Sequence, residues 1–419
     1  MYMRWKREGK GLFVYQMVDG YRHVAVGVLA FWMLLAVIFT SWSASAGGTS
    51  RVSAVDVWYV APWGKDTNDC RSWATACRTI RGAYEKFDAT GTIRLASGVY
   101  RETNVLGGTV TLIGAGPNRT IVDGGGMGTV FTVFEGAHVK IASLTIRNGR
   151  GQDLDRGGAI TNWGTLLLDY VVIEQNRSEW GAVGGIGSTG VLTITNSVIA
   201  DNTGPGSTGG ILSTYSLYME NVTVAGNRAP ESGSAGGIKV PAGGTATLVN
   251  VTISGNASFF GAGGISTYGV LSLKSVTLAD NVITSPADIP VDIYNGGRLT
   301  LVNTLIAGEC RGEGTVISQG YNLARGDTCQ LTHATDQQNT DPKLQPLAYN
   351  GGLGKTHALQ PGSPAIDRGN DAACPAADQR GMPRWDGDGD GKVTCDIGAF
   401  ERVTEPFPRR GFLSLLMSE

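Results

Sequence analysis

Charge is scarce in this chain of 419 residues: 17% of them are Asp, Glu, Lys or Arg, and 34 basic against 36 acidic side chains leave a formal net charge of −2. Such a balance supplies no field for holding nucleic acid, which is excluded as a partner. Histidine is scarcer, with four residues, and His138, His333 and His357 stand in unrelated contexts, so no histidine metal cluster is expected. No Cys-x-x-Cys pair occurs, which removes the usual spacing for zinc or thioredoxin-like chemistry. Proline totals 15 and the glycines follow no three-residue period, so the chain is not collagen. Apolar residues at 42% are too few for a multispan membrane protein and too many for a solvated disordered one.

Glycine is in excess, at 62 residues, about twice ordinary usage, and points to repetition or frequent turns. The N-terminus reads as an address. Arg4, Lys6, Arg7, Lys10 and Arg22 precede an uncharged run from Val24 to Phe39, which Ser43-Ala44-Ser45-Ala46 follows. Basic, apolar and small residues in that order define residues 1–46 as a signal peptide cut after Ala46, or as an N-terminal membrane anchor if uncut. Both readings export the rest and leave it mildly acidic. All six cysteines lie beyond this segment, in three local couples. Export lets disulfides persist, and proximity favours Cys70 with Cys77, Cys310 with Cys329 and Cys374 with Cys395, although six cysteines allow other connectivities.

The middle of the chain repeats. Leu166–Asn176, Leu192–Asn202, Leu217–Asn227, Ala246–Asn256 and Leu271–Asn281 align as alternating apolar segments, and the closing Asn recurs at 148, 176, 202, 227, 256 and 281. A second marker, Gly-Gly before Ile or Ala, recurs at Gly158, Gly185, Gly210, Gly237 and Gly264, a spacing of 25 to 27 residues. Each unit reads as two short strands meeting at a polar position (Asp169, Asn196, Asn221, Asn250, Ser275 or Asn303), then a Gly-rich loop and a third strand. One unit cannot bury its apolar face alone, so units stack about 4.8 Å apart into an all-β parallel β-helix. Leu, Ile and Val form inward columns, and the asparagines hydrogen-bond from coil to coil. Four of them, Asn176, Asn221, Asn250 and Asn256, also match the glycosylation sequon, but turn geometry already accounts for them.

The coils are expected over 90–310, about eight or nine in number. Open strand edges need covering. A helix over Cys77–Phe87, with Ile80, Ala83, Tyr84 and Phe87 at helical spacing, caps one end, and the chain after Cys310 covers the other. The organisation is thus a β-helix with its cap at 55–310, a disulfide-stapled cover at 311–401 and a tail at 402–419.

Val57-Trp-Tyr-Val, Cys70, Cys77 and Gly91-Thr-Ile-Arg-Leu-Ala-Ser-Gly-Val-Tyr100 resemble the opening of pectin-lyase-like right-handed β-helix proteins. Asn350-Gly-Gly, His357-Ala-Leu, Gly362-Ser-Pro-Ala-Ile-Asp367, Asp378-Gln-Arg-Gly381 and Asp396-Ile-Gly-Ala-Phe-Glu401 resemble the bacterial choice-of-anchor Q domain surface proteins. The resemblance covers about residues 55–401 and implies a right-handed parallel β-helix at the surface of a bacterium or secreted from it. Members of the first group that cleave polysaccharide use carboxylates stacked on neighbouring coils, with calcium or as acid and base. The residues before the repeating Asn are Arg147, Gln175, Asp201, Gly226, Gly255 and Asp280, with no adjacent acidic pair, and Asp201 is expected to meet Arg177.

The loops between markers are the remaining candidates. Asp153, Asp155, Arg156 and Glu179 stand in neighbouring coils. In an enzyme, the carboxylates would bind a cation or act as base and Arg156 would neutralise a uronate; a solvated polar loop surface is the simpler reading. Trp180, Phe259 and Phe260 offer flat faces to sugar rings or pack beneath their own loops. Asp386-Gly-Asp-Gly-Asp-Gly391 has the acid and glycine spacing of a calcium loop, with Asp386, Asp388, Asp390, the Lys392 carbonyl and Asp396 as ligands. The expected function is non-catalytic binding of glycans or other extracellular material by a monomer, with calcium as the one conceivable cofactor. The alternatives are a polysaccharide lyase or glycoside hydrolase for an acidic polymer, and a purely structural surface protein.

Overall fold

A computed structural model of the protein describes residues 56–87, 90–152, 156–179, 181–285 and 287–403, all within the unit Ala54–Glu419. The leader or anchor at 1–46, most of the tail, Asp153, Asp155 and Trp180 lie outside the described residues.

Alternating sequence becomes stacked strand. The larger sheet runs from Val57–Val60 through Thr90–Leu95, Thr109–Ile113, His138–Arg147, Thr165–Glu174, Val191–Thr195, Ser216–Ala225, Thr245–Ser254, Val270–Ala279 and Arg298–Val302 to Thr315–Ser318. Neighbours pair in parallel and in constant register, so like residues stack. Leu112, Ile141, Leu168, Ile194, Met219, Leu248, Leu273 and Leu301 form one such column and are all fully buried. A second sheet collects the strands that follow the Gly-Gly markers, such as Ile186–Ser188, Ile211–Ser213 and Ile238–Val240. Coils approach closely at the markers: a Cβ on Gly237 would lie 2.7 Å from the Gly264 carbonyl oxygen, which is why glycine is required there. The architecture is a parallel β-solenoid, as the repeats imply.

Two ladders of amides bind the coils. On the inner ladder Asn176, Asn202, Asn227, Asn256 and Asn281 are buried, and each side-chain amide donates to the next asparagine Oδ1 at 2.9 Å. Asn148 stands outside it, because Arg147 pairs with Glu174 and Gly149 takes the equivalent place, donating its N–H to Asn176 Oδ1 at 2.8 Å. The outer ladder runs the other way, from Asn250 to Asn221 to Asn196 to Asp169. Asp169 ends that ladder but does not make the turn. Tyr170 does, at φ 56°, because Asp169 pairs with Ala142 and Val171 with Leu144, which sets Tyr170 opposite Ser143 at φ 57°.

The solenoid runs further than 90–310. Val57–Val60 adds in parallel before Thr90–Leu95, and Thr315–Ser318 and Leu323–Ala324 add after residue 310. The capping helix is shorter than expected, Ile80–Tyr84; Thr79 accepts the Gly82 N–H and Glu102 accepts those of Ile80 and Arg81. All three expected disulfides are present. Beyond Ala324 the chain folds along the flank of the solenoid rather than only over its end. Gln379 joins Thr223 at 2.7 Å and Thr252 at 2.5 Å, Asn250 donates to the Ala377 carbonyl, Ser254 meets His357 Nε2 at 2.8 Å, and Ala399 donates its N–H to Thr277 Oγ1. Outward threonines are thereby buried and the strict alternation is lost in Thr245–Ser254 and Val270–Ala279. Among the described residues no helix is long and apolar enough to cross a membrane.

Candidate functional site

One outward column of the larger sheet changes character along the axis. Pairing carries it from Arg101 through Asp123, Arg147, Glu174, Ala200, Ala225 and Ser254 to Ala279. Its neighbours in sequence, Tyr100, Val122, Ile146 and Ile173, are buried inward, so the column faces out. The small half is where the C-terminal chain docks: Ala279 packs with Leu359, Ala365, Ile366, Ile397 and Phe400. The charged half is left open.

That open half is a cleft of about 830 Å³ lined by Arg101, Asp123, Gly125, Gly126, Met127, Asn148, Gly149, Gln175 and Arg177. A second hollow of about 470 Å³ shares Arg101 and adds Arg78, Tyr100, Glu102 and Arg147. At the floor Asp123 is saturated. Its Oδ1 accepts the Gly125 N–H at 3.0 Å, and its Oδ2 accepts Arg147 Nε at 3.0 Å and Asn148 Nδ2 at 2.9 Å. Gly125 and Gly126, at φ 59° and 71°, let the chain turn tightly enough to bring the first of those amides round. Burial pushes the Asp123 carboxyl up, but donors from Gly125, Asn148 and Arg147 outweigh it and hold it below the usual carboxylate range. Glu102 is spent on the helix N-terminus, and burial raises its pKa. Among the described residues the guanidinium groups of Arg101 and Arg177 have no hydrogen bond or ion pair.

Of the sequence candidates that are described, Arg156, Glu179, Phe259 and Phe260 do not line this cleft. Glu179 pairs with Arg150, and the Arg156 guanidinium lies 5.2 Å from the centroid of the Trp163 ring. Arg177 faces the cleft and does not meet Asp201, whose Oδ1 lies against Gly226 at its own left-handed turn. Phe259 and Phe260 pack edge to face at 4.5 Å, leaving Phe260 54% exposed. A further row of exposed rings went unnoticed in the sequence: Phe134, stacked on Trp163 at 6.0 Å, with Tyr215 and Tyr268 on turns of later coils.

The Asp-rich loop closes largely on itself. Asp386 accepts the N–H groups of Gly389 and Gly391, Asp388 that of Asp390, and Asp390 that of Lys392. Asp396 is turned away and buried, with Asp367 and Glu401 beside it. The motifs that resembled surface proteins are a polar core of the cover: Arg380 pairs with Asp378 at 2.7 Å and Arg384 with Glu401 at 2.8 Å, and Arg380 lies 3.7 Å from the Phe400 ring centroid.

Fold and site together define a parallel β-solenoid protein with an open, arginine-lined polar cleft on one flank. No protein-family model and no curated protein matches the chain. Similar solved structures include the pectate lyase Pel9A, at 16% identity and a TM-score of 0.48, covering 85% of this chain and 98% of that one. XylC in complex with xylose is 9% identical with a TM-score of 0.47, covering 83% and 99%. The pectin methylesterase PemA from Erwinia chrysanthemi is 13% identical with a TM-score of 0.35, covering 68% and 93%.

Proposed function

We propose that the protein is a secreted or surface component of a bacterium that holds an acidic extracellular polysaccharide in the open cleft without cleaving it. The observation that carries this reading is the pair Arg101 and Arg177, two guanidinium groups without a partner among the described residues, set either side of the Asp123–Arg147 pair. Guanidinium binds carboxylate or sulfate through paired donors, and the two arginines stand three coil steps apart, roughly 14 Å at about 4.8 Å per step, room for a short run of sugar rings. Binding is favoured over cleavage because Asp123, the carboxylate in the cleft, has both oxygens occupied and a lowered pKa, which suits neither a proton donor nor a base. Three disulfides support an oxidising compartment. Placement at the surface of a bacterium rests on the C-terminal resemblance to the choice-of-anchor Q proteins.

The test is retention and calorimetry with acidic and neutral polysaccharides, with ultraviolet absorbance for unsaturated products and a reducing-end assay run alongside. Acidic polymers should bind, and the double variant Arg101→Ala, Arg177→Ala should lose about tenfold or more in affinity. Undiminished binding by the double variant sinks the assignment of the cleft. Release of unsaturated products would replace binding by a lyase.

A further inference from the structure

Two overlapping groups of carboxylates lie in the C-terminal cover. Asp367, Asp396 and Glu401 offer oxygens within 4.8 Å of one another, and so do Asp367, Asp386 and Asp388. Hydrogen bonding separates the two groups. Asp396 accepts the N–H of Asp367 at 2.8 Å and that of Arg402 at 2.6 Å, while Glu401 accepts the Trp385 N–H at 3.0 Å and Arg384 at 2.8 Å. Every oxygen of Asp396 and Glu401 has a donor, and those two form a polar knot.

The second group is not closed. Asp367 is 8% exposed, and its Oδ1 is buried with no hydrogen-bond partner. Its Oδ2 accepts the Asp388 N–H at 2.6 Å, which fixes the carboxyl against the Asp386–Gly391 loop. A buried carboxylate oxygen without a donor is costly, and what it lacks is a positive centre. Among the described residues no ion pair supplies one to Asp367, Asp386 or Asp388. Burial raises the Asp367 pKa, and the charges of Asp388 and Asp386 add to the rise against N–H donors from Gly387 and Asp388.

We propose that Asp367, Asp386 and Asp388 form a calcium site that ties the turn ending at Asp367 to the loop that follows Trp385. Hard oxygen donors of this kind suit calcium, with water and loop carbonyls completing its sphere. The ligand set differs from the one read from sequence. Asp367 enters from 19 residues before Asp386, and Asp390 and Asp396 leave, the first lying outside the converging group and the second enclosed in the polar knot.

Terbium is the probe, because it takes calcium sites and its luminescence is excited through a nearby indole, here Trp385. The protein, freed of metal with a chelator and free of glycan, should sensitise terbium emission on titration, and calcium should displace it. Asp386→Asn and Asp388→Asn should each weaken terbium affinity about tenfold or more, Asp367→Asn should abolish it, and Asp390→Asn should leave it unchanged. Calcium should also raise the melting temperature of the wild type and not that of Asp386→Asn, a loop variant whose folding is not at stake. No sensitised emission, or emission indifferent to Asp386→Asn and Asp388→Asn, overturns the proposal. So does a melting temperature that follows pH and ignores calcium, since a proton shared between Asp367 and Asp396 would then satisfy the orphaned oxygen. Glycan binding is read in a separate experiment, so either proposal can fail alone.

Discussion

Asn281 donates from Nδ2 to Oδ1 of Asp292 at 2.7 Å, and there the inner ladder stops. A carboxylate only accepts, and Asp292 Oδ2 takes the Gly308 N–H at 2.6 Å, so no donor is left to pass on. Asp169 ends the outer ladder by the same chemistry at the opposite end. An asparagine both donates and accepts and therefore propagates a ladder; an aspartate terminates it.

Asn227 sits in the middle of the inner ladder, and Asn227→Ala should cost about 2–4 kcal/mol by denaturant unfolding. The substitution leaves the Asn202 N–H and Nδ2 without the Asn227 acceptor, the Ile199 carbonyl without the Asn227 amide donor, and Asn256 Oδ1 with only the backbone N–H of residue 227. Asn227→Asp should cost more at neutral pH, because a carboxylate would then face those two acceptors. Exposed Asn118→Ala is the reference and should change stability by less than about 0.5 kcal/mol.

Burial holds the Asp292 carboxyl up at about 6, with the charge of Asp280 adding to the rise against hydrogen bonds from Asn281 and Gly308. A carboxyl raised in the fold binds its proton more tightly there than in the unfolded chain. Its contribution to stability is therefore full below about pH 4 and is lost as pH rises through about 6, a change of about 3 kcal/mol. Asp292→Asn should flatten that part of the stability profile, as measured by unfolding midpoints between about pH 4 and pH 7. An unchanged slope would show that another group carries it.

The cover should loosen from the flank in Gln379→Ala. That side chain bridges Thr223 and Thr252, both buried, so its loss strands the Thr252 hydroxyl and leaves Thr223 only its bond to the Lys355 carbonyl, at a cost of about 1–3 kcal/mol. Limited proteolysis should cut the segment after Ala324 faster while the solenoid strands stay protected in hydrogen exchange.

Binding of an acidic polysaccharide should weaken steeply with added salt, since the cleft is open and its arginines are screened. Asp123→Asn should strengthen binding about two- to threefold by removing a negative charge from the cleft floor. Arg147→Ala should weaken it, because Asp123 would keep its charge and lose its cation. Calorimetry over a salt series distinguishes these outcomes.

The repeat markers placed the solenoid and the inward columns, because contacts one coil away recur at one spacing, and proximity in sequence placed the disulfide couples. They misplaced features where coils differ in length. Asp169 and Asn148 each look equivalent to their neighbours in alignment and are one residue out in register. The cleft was invisible because Arg101 and Asp123 lie in the early coils, before the Gly-Gly markers begin. Ala200, Ala225, Ser254 and Ala279 held a readable hint: outward positions filled by small residues mark a surface that something covers.

The sequence by itself determined that this chain coils into a parallel β-solenoid, since alternation and a constant repeat specify both the strand and the neighbour it stacks on. Tertiary structure alone decided which flank stays open and which carboxylates meet. Gln379 reaches Thr223 across 156 residues, and Asp367 meets Asp386 and Asp388 only when the cover has folded. Those contacts follow no period, and they form by packing an irregular chain onto a finished surface, so no spacing in the sequence announces them.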